Sequence, residues 1–258
     1  MFKPANISAH TMKFNSAISS DLHEMLEQGR IQKIKEERNT RSSKFIAPSS
    51  FRCRRIAWFR LRGCEKDRDD NPDTTLDFTT HVGTACHRLI QSTLSEVYPD
   101  CWVDVAEYLH KNGLNDLSSE KDGYEYKIES TDPPVRFACD GVLSMSGKNY
   151  ILEIKSSEYA AFNDLIEPKS QHIDQAKCYS AILRIPDILF VYIDRQYGSI
   201  KVFEVNFKQY ELDQIVKDMR DIKEMADNCI APEGLPKGDS WCTPSYCPYF
   251  AKCKEWGR

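Results

Sequence analysis

The sequence predicts an α/β protein with a central mixed β-sheet flanked by helices. Three observations support this fold class: helical apolar spacing from Phe78 to Tyr98, period-two alternation from Tyr124 to Ile154, and a further strand–strand–helix order that ends at Asn228. With 258 residues and 41% hydrophobic content, the chain can fill a sizeable core. This order of elements packs naturally as a sheet with helices against it.

The first part of the chain differs from the rest. Residues 1–48 are predicted to form a charged helical appendage, with a helix from Ser20 to Arg38 followed by a polar loop. Residues 49–258 form the predicted main domain, which ends in a segment, 232–258, rich in glycine, proline and cysteine. The stretch SSFRCRRIAWFRLRG, which opens this domain, predicts a helix that packs on one face.

The main domain then alternates between helical and strand patterns. The helix predicted from Phe78 to Tyr98 is followed by a loop and a polar linker to Gly123. Two strands, Val135–Met145 and Tyr150–Ile154, are predicted to pair across a turn at Ser146–Lys148. The remaining predicted elements are a helix at Gln171–Leu183, strands at Ile188–Ile193 and Lys201–Phe207, and a helix at Tyr210–Asn228.

Charge is unevenly distributed along the chain. The net charge is -4, but the stretch from Arg30 to Arg62 contains eleven lysines and arginines against two glutamates, a local charge of +9 that leaves -13 elsewhere. Such segregation gives an electropositive region that can attract polyanions. A solvated helix followed by a charged loop would show the same charge pattern.

The composition predicts an intracellular, cytoplasmic protein without a membrane span. The opening residues lack the apolar core of a secretory signal, and no apolar run approaches the ~18 residues of a membrane helix. In a reducing compartment the ten cysteines are expected to be buried thiols or metal ligands rather than disulfides.

The stretch NYILEIKS places charges inside an apolar strand. Residues i and i+2 of a strand share a face, so Glu153 and Lys155 project together while Ile154 faces the opposite side. Asp140, on the preceding strand, can reach the same face. Two carboxylates suit Mg²⁺ or Mn²⁺, and a nearby ammonium can position water or stabilise phosphate charge. This arrangement fits metal-assisted phosphodiester hydrolysis, although Glu-x-Lys alone is a weak signal.

A second Glu-x-Lys, Glu125-Tyr126-Lys127, stands in a strand pattern among charged residues. Its glutamate and lysine are predicted to be solvated charges on a half-exposed strand.

Two helices supply further polar stripes. Gly83, His87 and Gln91 share one face of the helix that starts near Phe78, and Gln175 and Tyr179 share a face of the later helix. In isolation, each histidine or tyrosine of this kind is more commonly a packing residue.

The order G-x-x-x-H, D-x12-E-x-K and Q-x-x-x-Y resembles the RecB-like branch of the PD-(D/E)xK nuclease superfamily over roughly residues 49–179. The resemblance implies a restriction-endonuclease-like core and a metal-dependent deoxyribonuclease. It assigns metal binding to His87, Asp140, Glu153 and the Ile154 carbonyl, activation of the attacking water to Lys155, and support of the site to Gln175 and Tyr179.

The cysteines of the tail are closely spaced. Cys242, Cys247 and Cys253 lie in a segment with little capacity for its own core, which suggests metal ligation, with Cys53 or Cys64 as fourth ligand. One cysteine before the nuclease core and three after it resembles the iron–sulfur members of the branch, including CRISPR-associated exonucleases and the AddB nuclease domain. The resemblance implies a 4Fe-4S cluster, although the C-x4-C-x5-C spacing and Arg54 depart from the usual pattern and leave zinc as an alternative.

The remaining cysteines stand singly in apolar patterns and are predicted to be core thiols: Cys86, Cys101, Cys139, Cys178 and Cys229.

A cluster of this kind would hold the arginine-rich helix beside the path of DNA, where phosphate contacts are salt-sensitive and independent of sequence. The predicted DNA-binding residues are Arg52, Arg54, Arg55, Arg60 and Arg62. Trp58, Phe59 and Trp241 could stack on unpaired bases, with core packing expected for at least two of them.

The function predicted from these features is a metal-dependent exonuclease acting on single-stranded DNA or DNA ends, in bacterial or phage DNA recombination or repair. The alternatives are a structure-specific endonuclease with the same site and a DNA-binding module without turnover. A protein partner is predicted to bind through the N-terminal region.

Overall fold

The structure is a computed structural model that describes residues 17–39, 44–67, 74–236 and 238–255. The described residues fall into two compact units: 17–39 with 74–78, and all the others. The division of the chain after residue 48 stays a prediction. Most of the polar loop predicted after Arg38 lies outside the described residues.

The smaller unit is built on helix α1 (Ala17–Asn39), which confirms the helix predicted from Ser20. Within this unit Arg30 donates a hydrogen bond to the Thr74 carbonyl, and the Thr74 hydroxyl donates to Glu27 Oε2 at 2.8 Å. Polar contacts therefore link α1 to the start of the next long helix.

That helix, α3 (Thr74–Ser92), begins four residues before the predicted start and continues through a π-helical turn at Thr93–Val97. The helix predicted from Phe78 to Tyr98 is confirmed, but its apolar stripe is only partly buried, because Leu89 and Val97 are exposed. Only Ile90 and Leu94 of that stripe pack against the sheet, so its buried contact is narrower than the sequence pattern. The other helices are α2 (Arg54–Leu61), α4 (Val105–Lys111), α5 (Tyr159–Asn163), α6 (Ser170–Leu183), α7 (Gln209–Asp227) and α8 (Phe250–Glu255).

Seven strands in the described chain form two sheets. An antiparallel sheet has the order β1-β2-β3, and a mixed sheet has the order β4-β5-β6-β7, in which only β5 and β6 are parallel. The mixed sheet confirms the predicted fold class. The strands are β1 (Leu117–Asp122), β2 (Glu125–Thr131), β3 (Pro134–Cys139), β4 (Gly141–Met145), β5 (Lys148–Ser157), β6 (Asp187–Asp194) and β7 (Ile200–Asn206).

The single strand predicted from Val135 to Met145 is wrong, because Asp140 interrupts it and the chain passes from one sheet to the other at that residue. The predicted turn after it is confirmed: Ser146 and Gly147 have φ of 51° and 78°, the positive values that a two-residue hairpin turn requires. The predicted polar linker contains β1, a largely exposed edge strand held by its pairing with β2.

Helices cover both faces of the mixed sheet. On one face, Leu143, Leu152 and Ile154 pack with Ile90 and Leu94 of the α3 region. The opposite face belongs to the larger core, which includes residues of α2, α6 and α7. Among the described residues, no helix is both long and apolar enough to cross a bilayer.

Candidate active site

Strand β5 carries the two charged residues that the sequence singles out. Glu153 is 2% exposed, and its Oε1 forms an ion pair with Nζ of Lys155. Ile154 faces the opposite side and is fully buried in the cluster against α3. The predicted sharing of one face by Glu153 and Lys155 is confirmed. A carboxylate and an ammonium in this setting are desolvated together, which makes each dependent on the other.

Asp140 lies at the break between β3 and β4, beside β5. Its carboxylate is buried: Oδ2 accepts the Ile154 backbone N–H at 2.7 Å, and Oδ1 lies 3.0 Å from Nδ1 of His87. The Ile154 amide thus holds Asp140 against the strand that carries Glu153 and Lys155. A role for the Ile154 carbonyl as metal ligand stays a prediction.

Helix α3 contributes through one face. Gln91 is 1% exposed, and its Nε2 donates to the Asp140 carbonyl at 2.8 Å, which fixes the backbone at the strand break. One turn earlier His87 meets the Asp140 carboxylate. A further turn back, a Cβ on Gly83 would lie 3.1 Å from Oγ of Ser156, so a small residue lets α3 approach the end of β5. The predicted stripe is therefore brought to the site as a unit.

Helix α6 brings the predicted amide and phenol to the same side chains. Lys155 Nζ donates to Gln175 Oε1 at 3.4 Å, and Gln175 Nε2 donates to the Tyr179 hydroxyl. The Tyr179 ring stacks on Phe137 with centroids 4.5 Å apart. Gln175 therefore links the lysine to a tyrosine that is locked by packing.

Glu125 lies at the site although the sequence analysis predicted a different position for it. The prediction that Glu125 is a solvated charge is wrong, because its carboxylate is half-buried and groups with ligand atoms of His87 and Asp140, all within 4.8 Å of one another. Lys127 is solvated as predicted and pairs with Asp122 at 2.7 Å.

The hairpin register explains the place of Glu125. Strand β2 pairs with β3 from Thr131 opposite Pro134 to Tyr126 opposite Cys139, so the next position sets Glu125 beside Asp140. Counting residues back from the turn at Asp132–Pro133 would have found this juxtaposition in the sequence.

A cavity of about 350 Å³ opens onto these groups. Its lining includes every side chain of the predicted site, together with Glu125 and parts of the segment at 47–49. The predicted residues that line it are His87, Asp140, Glu153, Lys155, Gln175 and Tyr179.

Burial and neighbouring charges set the protonation of the site. Burial raises the pKa of Glu153, and the Lys155 ammonium opposes that rise only in part. Burial disfavours the charge on Lys155, but the carboxylates of Glu153 and Asp140 outweigh it and raise its pKa. His87 follows the same balance, since Asp140 overcomes the effect of burial and raises its pKa. Lys155 is therefore an ammonium at neutral pH.

The arginines of the predicted DNA-binding set all make contacts within the protein. Arg55 Nε donates to the Pro232 carbonyl at 2.7 Å, and its Nη1 donates to Sγ of Cys253 at 3.4 Å. Arg60 Nε donates to the Phe45 carbonyl at 3.0 Å. Contact of these side chains with DNA stays a prediction. The other three pairs are Arg52 with Asp239, Arg54 with Asp218, and Arg62 with the Ala226 carbonyl.

Two of the three aromatic residues considered for base stacking belong to the core. Trp58 is 1% exposed and Phe59 is 2% exposed, which confirms the expected core packing. Trp241 is half-buried and lies near Arg52, with the guanidinium carbon 5.8 Å from the indole centroid.

The predicted cluster ligands are mostly buried. Cys53, Cys247 and Cys253 are buried, whereas Cys242 and Cys64 are half-buried. Burial, with the neighbouring sulfurs of Cys53 and Cys253, raises the pKa of Cys247. Within the described ranges, no three cysteine sulfurs lie within 4.8 Å of one another. Tetrahedral zinc would need sulfurs about 3.8 Å apart.

The other cysteines divide into three groups by burial. Cys139 and Cys178 are buried, as predicted for core thiols. Cys229 is exposed, so that prediction is wrong for it; it follows the end of α7 with a φ of 58°, outside the packed helix. Cys86 and Cys101 are half-buried.

Comparisons with known proteins give resemblances of structure only. No protein-family model and no curated protein matches the sequence. The crystal structure of SSO0001 gives a TM-score of 0.47 at 16% identity, covering 93% of this chain and 98% of that chain. The alkaline exonuclease LHK-Exo from Laribacter hongkongensis gives 0.40 at 14% identity, covering 75% and 93%. LHK-Exo in complex with dAMP gives 0.39 at 15% identity, covering 72% and 89%. Because all three scores are below 0.5, these resemblances assign neither a fold nor an activity to this chain.

Proposed function

We propose that this protein is a metal-dependent nuclease that hydrolyses phosphodiester bonds of DNA, as an exonuclease on single strands or DNA ends. One observation carries the proposal: the Ile154 amide holds the buried Asp140 carboxylate against β5, the strand that presents Glu153 and Lys155 to the same cavity. Buried carboxylates beside an ammonium, in an open cavity, suit chemistry on an anionic substrate.

The donor set fits a hard divalent cation. Asp140 and Glu153 offer carboxylate oxygens and His87 offers a ring nitrogen, the types of ligand that Mg²⁺ and Mn²⁺ accept. When bound there, such an ion would polarise the phosphate and lower the pKa of a water molecule. His87, Asp140 and Glu153 would hold it, and Gln91 would keep the Asp140 backbone in place.

Lys155 acts in this proposal as a hydrogen-bond donor rather than as a base. Its pKa is raised, so it keeps its proton at neutral pH. Gln175 and Glu153 orient the ammonium toward the cavity, where it can position the attacking water and stabilise negative charge on the phosphate oxygens. The Tyr179 hydroxyl supports Gln175 by accepting a hydrogen bond from its Nε2.

The experiment compares linear and closed circular DNA. End-labelled single-stranded and duplex linear DNA, and closed circles, are incubated with Mg²⁺, Mn²⁺ or a chelator, using anaerobically purified protein. We expect metal-dependent loss of label from linear DNA and intact circles. Asp140→Ala should bind DNA without cleaving it, and Asp132→Ala, at an exposed partner of Arg220, is the control.

Other outcomes select the alternatives. Cleavage of closed circles would identify an endonuclease. DNA binding without cleavage under every metal condition would identify a module without turnover and would contradict the proposal.

We further propose that Cys53, Cys242, Cys247 and Cys253 hold a 4Fe-4S cluster. Three of these sulfurs are buried, and Cys53 stands at the N-cap of α2 while the other three belong to the tail. A cluster there would join the two ends of the larger unit. Iron and sulfide analysis with the visible absorption spectrum tests this, and Cys253→Ser should lose both the metal and solubility. A zinc content of one per chain would favour the alternative.

The protein partner of residues 1–48 and the cytoplasmic location stay predictions. Pull-down with and without those residues tests the first.

A further inference from the structure

Glu125 occupies an unusual position for a carboxylate. It begins β2 and, by the register of the β2–β3 hairpin, faces Asp140. Its side chain is half-buried, and no hydrogen bond to its carboxylate is found among the described residues. The other carboxylates around the cavity each have partners: Asp140 accepts from Ile154, and Glu153 pairs with Lys155. Among these carboxylates of the described chain, Glu125 is the one that is half-buried without a hydrogen bond.

The local charges make this arrangement unfavourable by itself. A ligand oxygen of Glu125 lies within 4.8 Å of one of Asp140, and like charges at that separation repel. Lys155 is committed to Glu153 and Gln175. His87 is close, but it already meets the Asp140 carboxylate. A cation between these groups would remove the repulsion and satisfy the open carboxylate.

We propose that Glu125 is a ligand for the divalent cation of this site, together with His87 and Asp140. The inference deepens the proposed function and rests on it. It adds the Glu125 carboxylate, on the antiparallel sheet, to two proposed ligands: Glu153 on the mixed sheet and Asp140 at the break between the two sheets. Both sheets would then contribute oxygen ligands. A hard cation such as Mg²⁺ or Mn²⁺ is the class of ligand that two carboxylates and one imidazole select.

The geometry separates this role from that of Glu153. The three ligand atoms of His87, Glu125 and Asp140 are mutually close, and Glu153 is the proposed ligand that also forms an ion pair with Lys155. Loss of the Glu125 carboxylate should therefore weaken binding of the cation while leaving the Glu153–Lys155 pair in place.

The test measures Mn²⁺ binding directly, without DNA. Free Mn²⁺ is followed by its electron paramagnetic resonance signal during titration of the full chain. We expect Glu125→Gln to weaken Mn²⁺ binding by about 10-fold or more. Loss of a residue that only supports a metal ligand costs about 10-fold at other sites, and loss of a ligand should cost at least as much. Glu120→Gln, the same change at an exposed position of the neighbouring strand, should bind like the parent.

A second variant guards against misfolding. Glu125→Asp keeps the charge but shortens the reach, and we expect an affinity between those of the parent and Glu125→Gln, with parental circular dichroism for both. Parental Mn²⁺ affinity in folded Glu125→Gln, combined with a loss of binding in Asp140→Asn, would overturn the role of Glu125 and leave the proposed function standing. Failure of the parent to bind Mn²⁺ would overturn both.

Discussion

Two of the chain's Glu-x-Lys tripeptides lie in inner strands, one in each sheet, and their surroundings differ. In β5, Glu153 and Lys155 pair beneath α6, where Gln175 contacts the ammonium. In β2, Lys127 extends into solvent and pairs with Asp122 on the neighbouring edge strand. An inner position in a sheet is therefore not what distinguishes the first pair from the second. Coverage by a helix, which desolvates the ammonium and gives it a second partner, is the difference.

The second tripeptide is nevertheless divided between two environments. Glu125 is the first residue of β2 and reaches the cavity, whereas Lys127, two residues further on the same strand, is exposed. A shared tripeptide thus says little about function until the position of each residue along its strand is known.

Of the substitutions that test this comparison, removal of the buried Glu153 carboxylate should have the largest effect on the rate of DNA cleavage. Glu153→Gln deletes the charge that holds Lys155 and one proposed oxygen ligand, so we expect the rate of DNA cleavage to fall by about 10²–10³-fold. Initial rates on end-labelled linear DNA measure it. Glu120→Gln, at an exposed position opposite Lys127, should cleave at the parental rate. A loss of less than threefold in Glu153→Gln would show that burial alone does not make a residue essential here.

A methyl group at Gly141 should disturb the strand break at Asp140, which lies beside Glu125 and beside the strand that carries Glu153. A Cβ there would lie 2.6 Å from Cη2 of Trp102, so the indole must shift. We expect Gly141→Ala to lower the free energy of unfolding by about 1–3 kcal/mol, as overpacking does. Urea denaturation measures it, with Gly29→Ala, where no atom lies within 4 Å of the new Cβ, as control. Equal midpoints for Gly141→Ala and the parent would contradict the close approach.

The amide of Gln91 should matter for catalysis more than for affinity. Gln91→Met keeps the volume but leaves the Asp140 carbonyl without its donor, so Asp140 is less well fixed. We expect kcat to fall by about 10-fold, the lower end for a residue that supports metal ligands, with KM for DNA little changed. Gln196→Met, on the exposed turn after β6, is the control. A rise in KM at constant kcat would indicate a substrate contact instead.

The environment of Lys155 should also appear in the pH dependence of stability. Burial first, and then Lys155 and Lys169, lower the pKa of His172 from 6.5 to about 3. The Tyr192 hydroxyl accepts the Lys169 N–H and lies 2.7 Å from Nδ1 of His172, where it can donate only to an unprotonated nitrogen. The unfolded chain therefore binds one more proton than the folded chain between these two pH values.

Stability should accordingly fall as pH drops from about 6.5 toward 3, by at most about 1.4 kcal/mol per pH unit from this group. His172→Gln should flatten the slope measured by urea denaturation at pH 7, 6 and 5. His110→Gln, at an exposed position of α4, should keep the parental slope. An unchanged slope in His172→Gln would contradict the buried, unprotonated state of His172 in the folded protein.

The sequence predicted those parts of the site that depend on period and spacing. The shared face of Glu153 and Lys155 follows from the two-residue repeat of a strand, and the stripes on α3 and α6 follow from the helical repeat. The strand break at Asp140 did not emerge, because Val135–Met145 alternates well enough to look continuous and only the pairing of two different sheets interrupts it.

The polar edge strand β1 is the other feature that the sequence analysis missed. Strand β1 has the sequence LSSEKD, which has no apolar alternation, and it is a strand because β2 supplies its hydrogen-bond partners. The same hairpin register places Glu125 beside Asp140. Both features depend on pairing between distant residues, which a residue-by-residue pattern does not contain.

The most direct test of the central claim is a matched pair of lysine substitutions. Single-turnover cleavage of end-labelled linear DNA with Mg²⁺ or Mn²⁺ is measured for the parent, Lys155→Ala and Lys127→Ala. The proposed function predicts that Lys155→Ala loses cleavage by about 100-fold or more while still binding DNA, because the buried cation proposed to contact the phosphate is gone, and that Lys127→Ala cleaves like the parent. Parental activity in Lys155→Ala would contradict the assignment of β5 as the catalytic strand.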